Sequence, residues 1–478
     1  MKLMGVKSLL KLVASSFYLI SAQDNLPRCS QITIRKEIRT LSTQEWGNIK
    51  NVLGYLQNDG TFARLAQEHT TLFGVVHGGP IFLPFHRRLV LDIEEAGKRY
   101  SPDFFVPYWD ATRDYQSPEK SIVFSPDYMG GNGDPSNDNC ITNGPEYGWN
   151  MSYPRPHCLR RVFNGQNGTV KSWYSPETMT STLQTSTSLD NFRSNLEFTL
   201  HGAVHLGVGG DMITPEAPND FIFFLHHSNM DRLWWKWQNA KESNLMDYGG
   251  KNPQKTNPAS LDDLIDGYTD RVRDVMKIGY GRVCSLYDDV LPLPSLNFNT
   301  TLFRNLRSLD TGNLIVGNNN TASGDNDSNS PSSDTQDGEK TLKDLSFNTG
   351  LRTLSSQTLE KFFPELKSSK INVNMFETSG AKLGLVLGSE FSSNNTKSVK
   401  KRAYMHVMDN KRDCGGSNTN YSYNGGYQDN AKTLPVPYMP PDSYIKMHNY
   451  KKSDVEFAVN KCIDLVNTLN REGYVSPF

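Results

Sequence analysis

The stretch from Phe221 to Gln238, FIFFLHHSNMDRLWWKWQ, sets two adjacent histidines and an aspartate inside an aromatic run. Its apolar residues predict a largely buried helix, where an imidazole is costly to desolvate unless something holds it. Consecutive side chains point about 100° apart on a helix of ~3.6 residues per turn. One of His226 and His227 at most is therefore expected to face a small interior site, the other serving its rim. Local geometry leaves open which.

The remaining histidines narrow the question. Ten occur in 478 residues, unevenly placed. His69, His77 and His86 share one short piece of chain; His201, His205, His226 and His227 share another. His201 and His205 are i, i+4, so a helix projects both from one face, and His227 can complete a set of three nitrogens. Imidazole suits zinc, copper, iron and nickel. A di-iron bundle calls for inward carboxylates with Glu-x-x-His pairs; neither cluster has one, and no HExxH motif occurs. Two sets of three imidazoles favour a pair of copper ions working on dioxygen. A single histidine on an apolar helix is more often a hydrogen-bonded core residue, but two spaced triplets without metal would need every buried ring satisfied separately. His157, His406 and His448 have no companions nearby in sequence and are given no role.

Around these clusters the pattern is helical. Ser42-Thr43-Gln44-Glu45 is a capping box ahead of Trp46, Ile49, Leu53 and Leu56. A second helix is expected from Asp59-Gly60 to about His69, and a third from near Pro84 to Tyr100. Residues 101 to 188 read as loop, rich in Pro, Gly, Asn and Asp, with Cys140 and Cys158 as a staple. Helical periodicity returns at Leu189–Leu206 and at Asn219–Asn239. The fold class expected is mainly α: a four-helix bundle holding a dicopper site, with long loops and a C-terminal extension containing some β.

The bulk properties set the context. A net charge of −1 gives no reason to expect nucleic acid or an anionic membrane as partner. The aromatic content of 11% suits a large core or an aromatic-lined pocket. Lys2 and Lys7 precede an apolar run, Leu9 to Ala22, ending in the small-residue site Ile20-Ser21-Ala22; this reads as a signal peptide. Lys11 and two serines leave that run too polar to span a bilayer. Secretion agrees with six cysteines outside any CxxC pair, which favour disulfides, and with sequons at Asn150, Asn167, Asn299, Asn319, Asn326, Asn394 and Asn420.

The segments HGGPIFLPFHR, HGAVHLGVGGDM and PNDFIFFLHHSNMDRLWWKWQ together resemble the two copper-binding regions of the tyrosinase and catechol oxidase family, the type 3 dicopper proteins, in a secreted, fungal-type form. The likeness covers roughly Ser42 to Tyr287. It implies that His69, His77 and His86 ligate one copper and His201, His205 and His227 the other, since the second histidine of the HH pair is the family's ligand. His226 is then left for the pocket wall. The implied activity is oxidation of o-diphenols to o-quinones with O2, with a small phenolic substrate docked above one copper. Asp231, one turn after His227, can receive a hydrogen bond from a ligand imidazole or pair with an arginine. Arg87 and Arg232 are read as structural, pairing with carboxylates such as Glu94. Phe82 and Phe223 wall the site. Thr214 matches the family position that overhangs one copper, with Ala217 close by; both are small, so the entrance is expected to be open.

Hydroxylation of monophenols is associated in the family with a water held by a glutamate and by an asparagine directly after the first ligand of the second copper. Glu197 matches the glutamate, but the asparagine position is Gly202. Weak monophenolase activity follows as the expectation. Val75 stands two residues before His77, so no Cys–His thioether is expected. The alternatives are a monophenol-hydroxylating tyrosinase of melanin formation and a hemocyanin-like oxygen carrier, the latter disfavoured by the small Thr214 and Ala217 and by the lack of repeats.

The chain is divided into a signal peptide at 1–22, a catalytic domain at 23–310, a disordered glycosylated linker at 311–340 and a C-terminal region at 341–478. The linker is rich in Asn, Ser, Gly and Asp and poor in apolar residues. Alternation at Ile371–Phe376 and Leu383–Leu387 suggests short strands. Family extensions that shield the site until cleaved imply the same here, with the basic stretch NNTKSVKKR, Asn394 to Arg402, as the target of an activating protease.

Overall fold

The Ser42 hydroxyl accepts the Glu45 N–H while the Glu45 carboxylate accepts the Ser42 N–H, so the capping box is real and starts the Thr43–Asn58 helix. The computed structural model describes residues 26–252, 257–290, 292–296, 298, 350–367 and 433–478. The signal peptide, the 311–340 linker, the strands expected near Ile371 and Leu383, and the Asn394–Arg402 stretch lie outside these residues.

The second helix runs Thr61–Val76, past the expected end at His69, because Phe73 and Val76 continue its buried face. It stops where His77 turns extended and Gly78 takes a positive φ of 74°. The third is Phe82–Lys98. Residues 101 to 188 are mostly irregular, but they contain a helix the reading missed, Pro176–Thr185, started by Ser175 accepting the Thr178 N–H and by Pro176 in the first turn. Its Thr- and Ser-rich sequence has little apolar periodicity, yet almost all of it is buried.

The expected Leu189–Leu206 helix is instead Leu189–Leu196, a π-helical turn Glu197–His201, and Gly202–Val208. A π-turn widens the helix locally and is frequent at functional sites. Here it spans the interval between Glu197 and His201. The Phe221–Gln238 helix is buried at every residue, which makes it the central element of the bundle. It packs against the Phe82–Lys98 helix.

The charged residues of that central helix, Asp231, Arg232 and Lys236, are all paired. Asp231 accepts from Tyr287 Oη at 2.6 Å, from Arg35 Nη1 at 3.4 Å and from Arg87 Nε. Arg232 Nε donates to Asp289 at 2.9 Å. Glu94 is taken by Arg35 at 2.8 Å, so Arg87 pairs with Asp231 and not with Glu94 as expected. A two-stranded parallel pairing of Thr33–Arg35 with Ser285–Tyr287 brings Arg35 to this network. Next to it, Cys29 and Cys284 form a disulfide. Cys140 and Cys158 form the expected second one. Cys462 is a buried free thiol among the described residues.

The C-terminal region contributes Ser356–Phe362, Asp442–Met447 and the 20-residue helix Lys452–Arg471. The last packs against the Leu189–Leu196 helix and the π-turn. Among the described residues no helix is long and apolar enough to cross a membrane.

Candidate dicopper site

His69 and His86 project from the second and third helices, with His77 at the turn between them. Each of these three offers a ring nitrogen, and the three nitrogens lie within 4.8 Å of one another. All three rings are buried, at 1%, 4% and 2% exposure. A second group with the same spacing comprises His201, His205 and His226.

Backbone carbonyls fix the tautomers. His77 Nδ1 lies 3.0 Å from Phe73 O, His86 Nδ1 2.7 Å from Phe82 O, and His201 Nδ1 3.2 Å from Glu197 O, each four residues back. His69 uses Pro215 O at 2.6 Å and His205 uses Met212 O at 2.5 Å. A carbonyl oxygen only accepts, so Nδ1 carries the proton and the lone pair sits on Nε2. Nε2 of His69, His86, His201 and His205 is buried without a hydrogen-bond partner. Leaving such an atom unmet costs about 1–3 kcal/mol, and a soft divalent or monovalent metal is what would meet it. Burial holds all of these rings below the ordinary imidazole range, His69 and His205 down to about 4. Neutral imidazole is the metal-binding form. The donor set thus fits copper: all nitrogen, preoriented, and dry.

The adjacent pair departs from the helical-wheel argument. His226 is fully buried, not on a rim. Its ring lies 5.6 Å from that of His201 and 5.3 Å from that of His205. His227 lies 5.1 Å and 5.6 Å from the same two rings and stacks on His86 at 4.1 Å. Both can reach the second cluster because His201 and His205 sit on a separate segment that covers the arc between the two directions. Both nitrogens of both rings lack hydrogen-bond partners. The grouping of nitrogens therefore includes His226 where the sequence reading placed His227.

The family model described as the common central domain of tyrosinase matches residues 52–240. Tyrosinase ustQ of Aspergillus flavus is 31% identical over 316 residues, spanning 59% of this chain and 87% of that protein. The tyrosinase of Streptomyces antibioticus is 30% identical over 274 residues, spanning 50% of this chain and 99% of the other. The chain belongs to the tyrosinase family. A polyphenol oxidase variant from Thermothelomyces thermophila aligns over 59% of this chain and 95% of its own, at 22% identity and a TM-score of 0.46. Tyrosinase-family membership makes the chain an oxidoreductase, a copper-dependent phenol oxidase in the broad sense.

The other residues singled out in this tyrosinase-family chain fall as follows. Phe223 packs on His227 at 4.2 Å and on His69 at 5.2 Å; Phe82 packs on His86 at 4.7 Å and on His201 at 4.8 Å. Both therefore stand between the clusters. Thr214 is half-buried, its hydroxyl donating to Asp211 O at 2.9 Å, and Ala217 is buried. Asp231 touches arginines and Tyr287, not an imidazole. Glu197 is buried; burial raises its pKa, opposed by Arg193, whose Nη1 is 2.8 Å from Oε2. Its Oε1 accepts the Gly78 N–H at 2.7 Å and Tyr450 Oη at 2.9 Å.

Sequence reading expected a shielding C-terminal region but named none of the residues that reach the site. Tyr444, His448 and Tyr450 lie against the site: a Cβ on Gly202 would stand 3.4 Å from Tyr444 Cε1, and the His448 ring is 5.4 Å from that of His77. The spacing Tyr444, His448, Tyr450 in SYIKMHNY gives one local hint, an aromatic one helical turn before an imidazole. Their partners are more than 200 residues away in sequence. His157 also has a place, with Nε2 2.9 Å from Asp211 Oδ2 in the loop whose Met212 carbonyl orients His205.

Proposed function

We propose that the chain oxidises o-diphenols to o-quinones with dioxygen and hydroxylates monophenols weakly. The observation that carries the reading is the set of buried, tautomer-fixed imidazoles whose Nε2 atoms converge without partners. Copper bound there supplies the electron transfer between diphenol and O2; the chain supplies position, dryness and proton control. In this reading His69, His77 and His86 hold one ion and His201, His205 and His227 the other. His227 is preferred to His226 because its ring meets His86 as well as His201 and His205, placing it between the two clusters. His226, touching only the second cluster and its own neighbour, supports the wall.

The diphenol preference rests on what stands beside His201. Gly202 has no side chain to hold a water, and the Glu197 carboxylate is already engaged by the Gly78 N–H, Tyr450 and Arg193, which disfavours it as the base for a monophenol. Phe82 and Phe223 exclude water around the imidazoles, and Thr214 and Ala217 supply a small lip that admits a phenolic ring. The assay is direct. The copper-loaded chain should turn over catechol readily and tyrosine slowly; rapid hydroxylation of tyrosine without a lag removes the diphenolase reading. Catechol turnover also separates an oxidase from an oxygen carrier.

The division into a catalytic domain, a linker and a shielding C-terminal region belongs to the same proposal. Tyr444 over Gly202 and Tyr450 on Glu197 support a latent form, released by cleavage in the basic Asn394–Arg402 stretch. Secretion and glycosylation at the sequons complete the reading; Asn150 and Asn167 are exposed, as an acceptor must be.

A further inference from the structure

Two of the candidate ligands, one from each cluster, take their orientation from the same loop. His77, His86 and His201 each donate Nδ1–H to the carbonyl four residues back, held by the helical turn behind them. His205 and His69 instead use Met212 O at 2.5 Å and Pro215 O at 2.6 Å, both in the loop 209–215. A loop carbonyl lacks the ladder that fixes a helical one, so this loop needs support of its own.

Its backbone lies along residues 160–162: the Asp211 N–H donates to Arg160 O at 3.1 Å and the Val162 N–H to Val208 O at 3.0 Å. Its side-chain support is His157. Nε2 of that ring lies 2.9 Å from Asp211 Oδ2 and Nδ1 2.7 Å from Arg155 O, so acceptors face both nitrogens and both carry protons. Hydrogen bonding to Asp211 raises the His157 pKa, while burial raises that of Asp211 against the same bond. The two side chains are 8% and 7% exposed. His157 stands on a stapled hairpin, where His157–Cys158 pairs with Asn150–Met151 and Cys158 is bonded to Cys140. Asp211 passes the constraint on: its carbonyl accepts the Thr214 N–H at 3.0 Å and the Thr214 hydroxyl at 2.9 Å, just before Pro215.

We propose that His157 is a positioning residue for both metal centres: its ion pair with Asp211 latches the loop 209–215, whose Met212 and Pro215 carbonyls aim His205 and His69. What the two rings hold rests on the dicopper reading above; how they are held rests on the hydrogen bonds alone. Partners that orient a metal-binding imidazole change metal affinity by about 10- to 100-fold. Because one latch stands behind a ligand of each cluster, releasing it weakens the hold on both ions together.

The test uses the full chain with isotope-labelled histidine, first without metal. Exchange of each Nδ1 proton with water is followed by NMR, the signals being assigned by single substitutions. His157→Ala should speed exchange at His69 and His205 several-fold and leave His77, His86 and His201 as they are. Asp211→Asn, which keeps an acceptor for His157 but loses the charge, should move the same two signals by less; it serves alone if His157→Ala does not fold. Copper-loaded samples are then challenged with a chelator, and each variant should lose both ions several-fold faster than the wild type. No change at either ring, change at only one, or equal change at all five overturns the latch. Selective change at His69 and His205 in a chain that takes up no copper keeps the latch and overturns the dicopper reading.

Discussion

Tyr450 Oη donates to the same Glu197 oxygen that accepts the Gly78 N–H, so the C-terminal segment and the turn after His77 share one buried carboxylate. A hydrogen bond to a charged group contributes about 1.5–3 kcal/mol, enough to shift a docking equilibrium by roughly ten- to a hundredfold. Tyr450→Phe should therefore raise the catechol rate of the uncleaved, copper-loaded chain by up to tenfold. Initial rates before and after proteolysis check it: after cleavage, wild type and variant should be equal.

Gly202 sits under Tyr444 with room for a Cβ only at van der Waals distance, 3.4 Å from Cε1 and 3.5 Å from Oη. Gly202→Asn should act twice. It should loosen the C-terminal segment and supply a group able to hold a water beside Glu197. Tyrosine hydroxylation should increase several-fold relative to catechol oxidation in the cleaved protein, measured as the ratio of the two rates.

His226 and His227 separate by metal counting. His227→Ala should lower copper from two ions per chain towards one, while His226→Ala should keep both. The reverse result assigns the ligand to His226, as the spacing of nitrogens alone would have it.

Asp231 is the anion that Arg35 and Arg87 share at the centre of the bundle. Asp231→Asn leaves those buried guanidinium groups short of a counter-charge, a cost of about 3–5 kcal/mol. Chemical denaturation should show a loss of that size. Copper stoichiometry should fall with it, because Arg87 and Asp231 flank His86 and His227 on the packed helices.

Glu177 gives a pH dependence. It is fully buried under Tyr474, whose Oη is 3.0 Å from Oε1, and burial raises its pKa against hydrogen bonds from neighbouring hydroxyls. The folded state therefore holds this proton more tightly than the unfolded chain does. Its contribution favours docking of the C-terminal end at acid pH and declines as pH rises from the ordinary carboxylate range through the raised value. Hydrogen exchange of the Lys452–Arg471 helix should quicken across that window in the wild type. Glu177→Gln, which keeps the protonated shape, should flatten the response.

Much of the bundle was legible because its signals are local. The Ser42–Glu45 box, the i, i+4 histidines and the aromatic run around His226 each declare an element within a few residues. The Pro176–Thr185 helix was not legible, since burial against its neighbours overrides a composition of Thr and Ser. The π-turn at Glu197–His201 was hidden for a related reason: one extra residue in a turn leaves the apolar pattern nearly unchanged. His226 was misjudged as a rim residue because a helical wheel describes one helix, whereas the second cluster comes from another segment. Tyr444, His448 and Tyr450 carry only a faint local mark, the aromatic one helical turn before an imidazole. Their meaning lies in contacts with Gly202, His77 and Glu197 that only the folded chain makes.

The Cys29–Cys284 bond encloses the histidines of both clusters within one covalent ring, its ends 255 residues apart in sequence. By chain entropy alone such a closure disfavours the unfolded state by about 5 kcal/mol. A cut anywhere beyond Cys284 would leave that hoop unbroken, with His69, His77, His86, His201, His205, His226 and His227 all on one covalently closed piece.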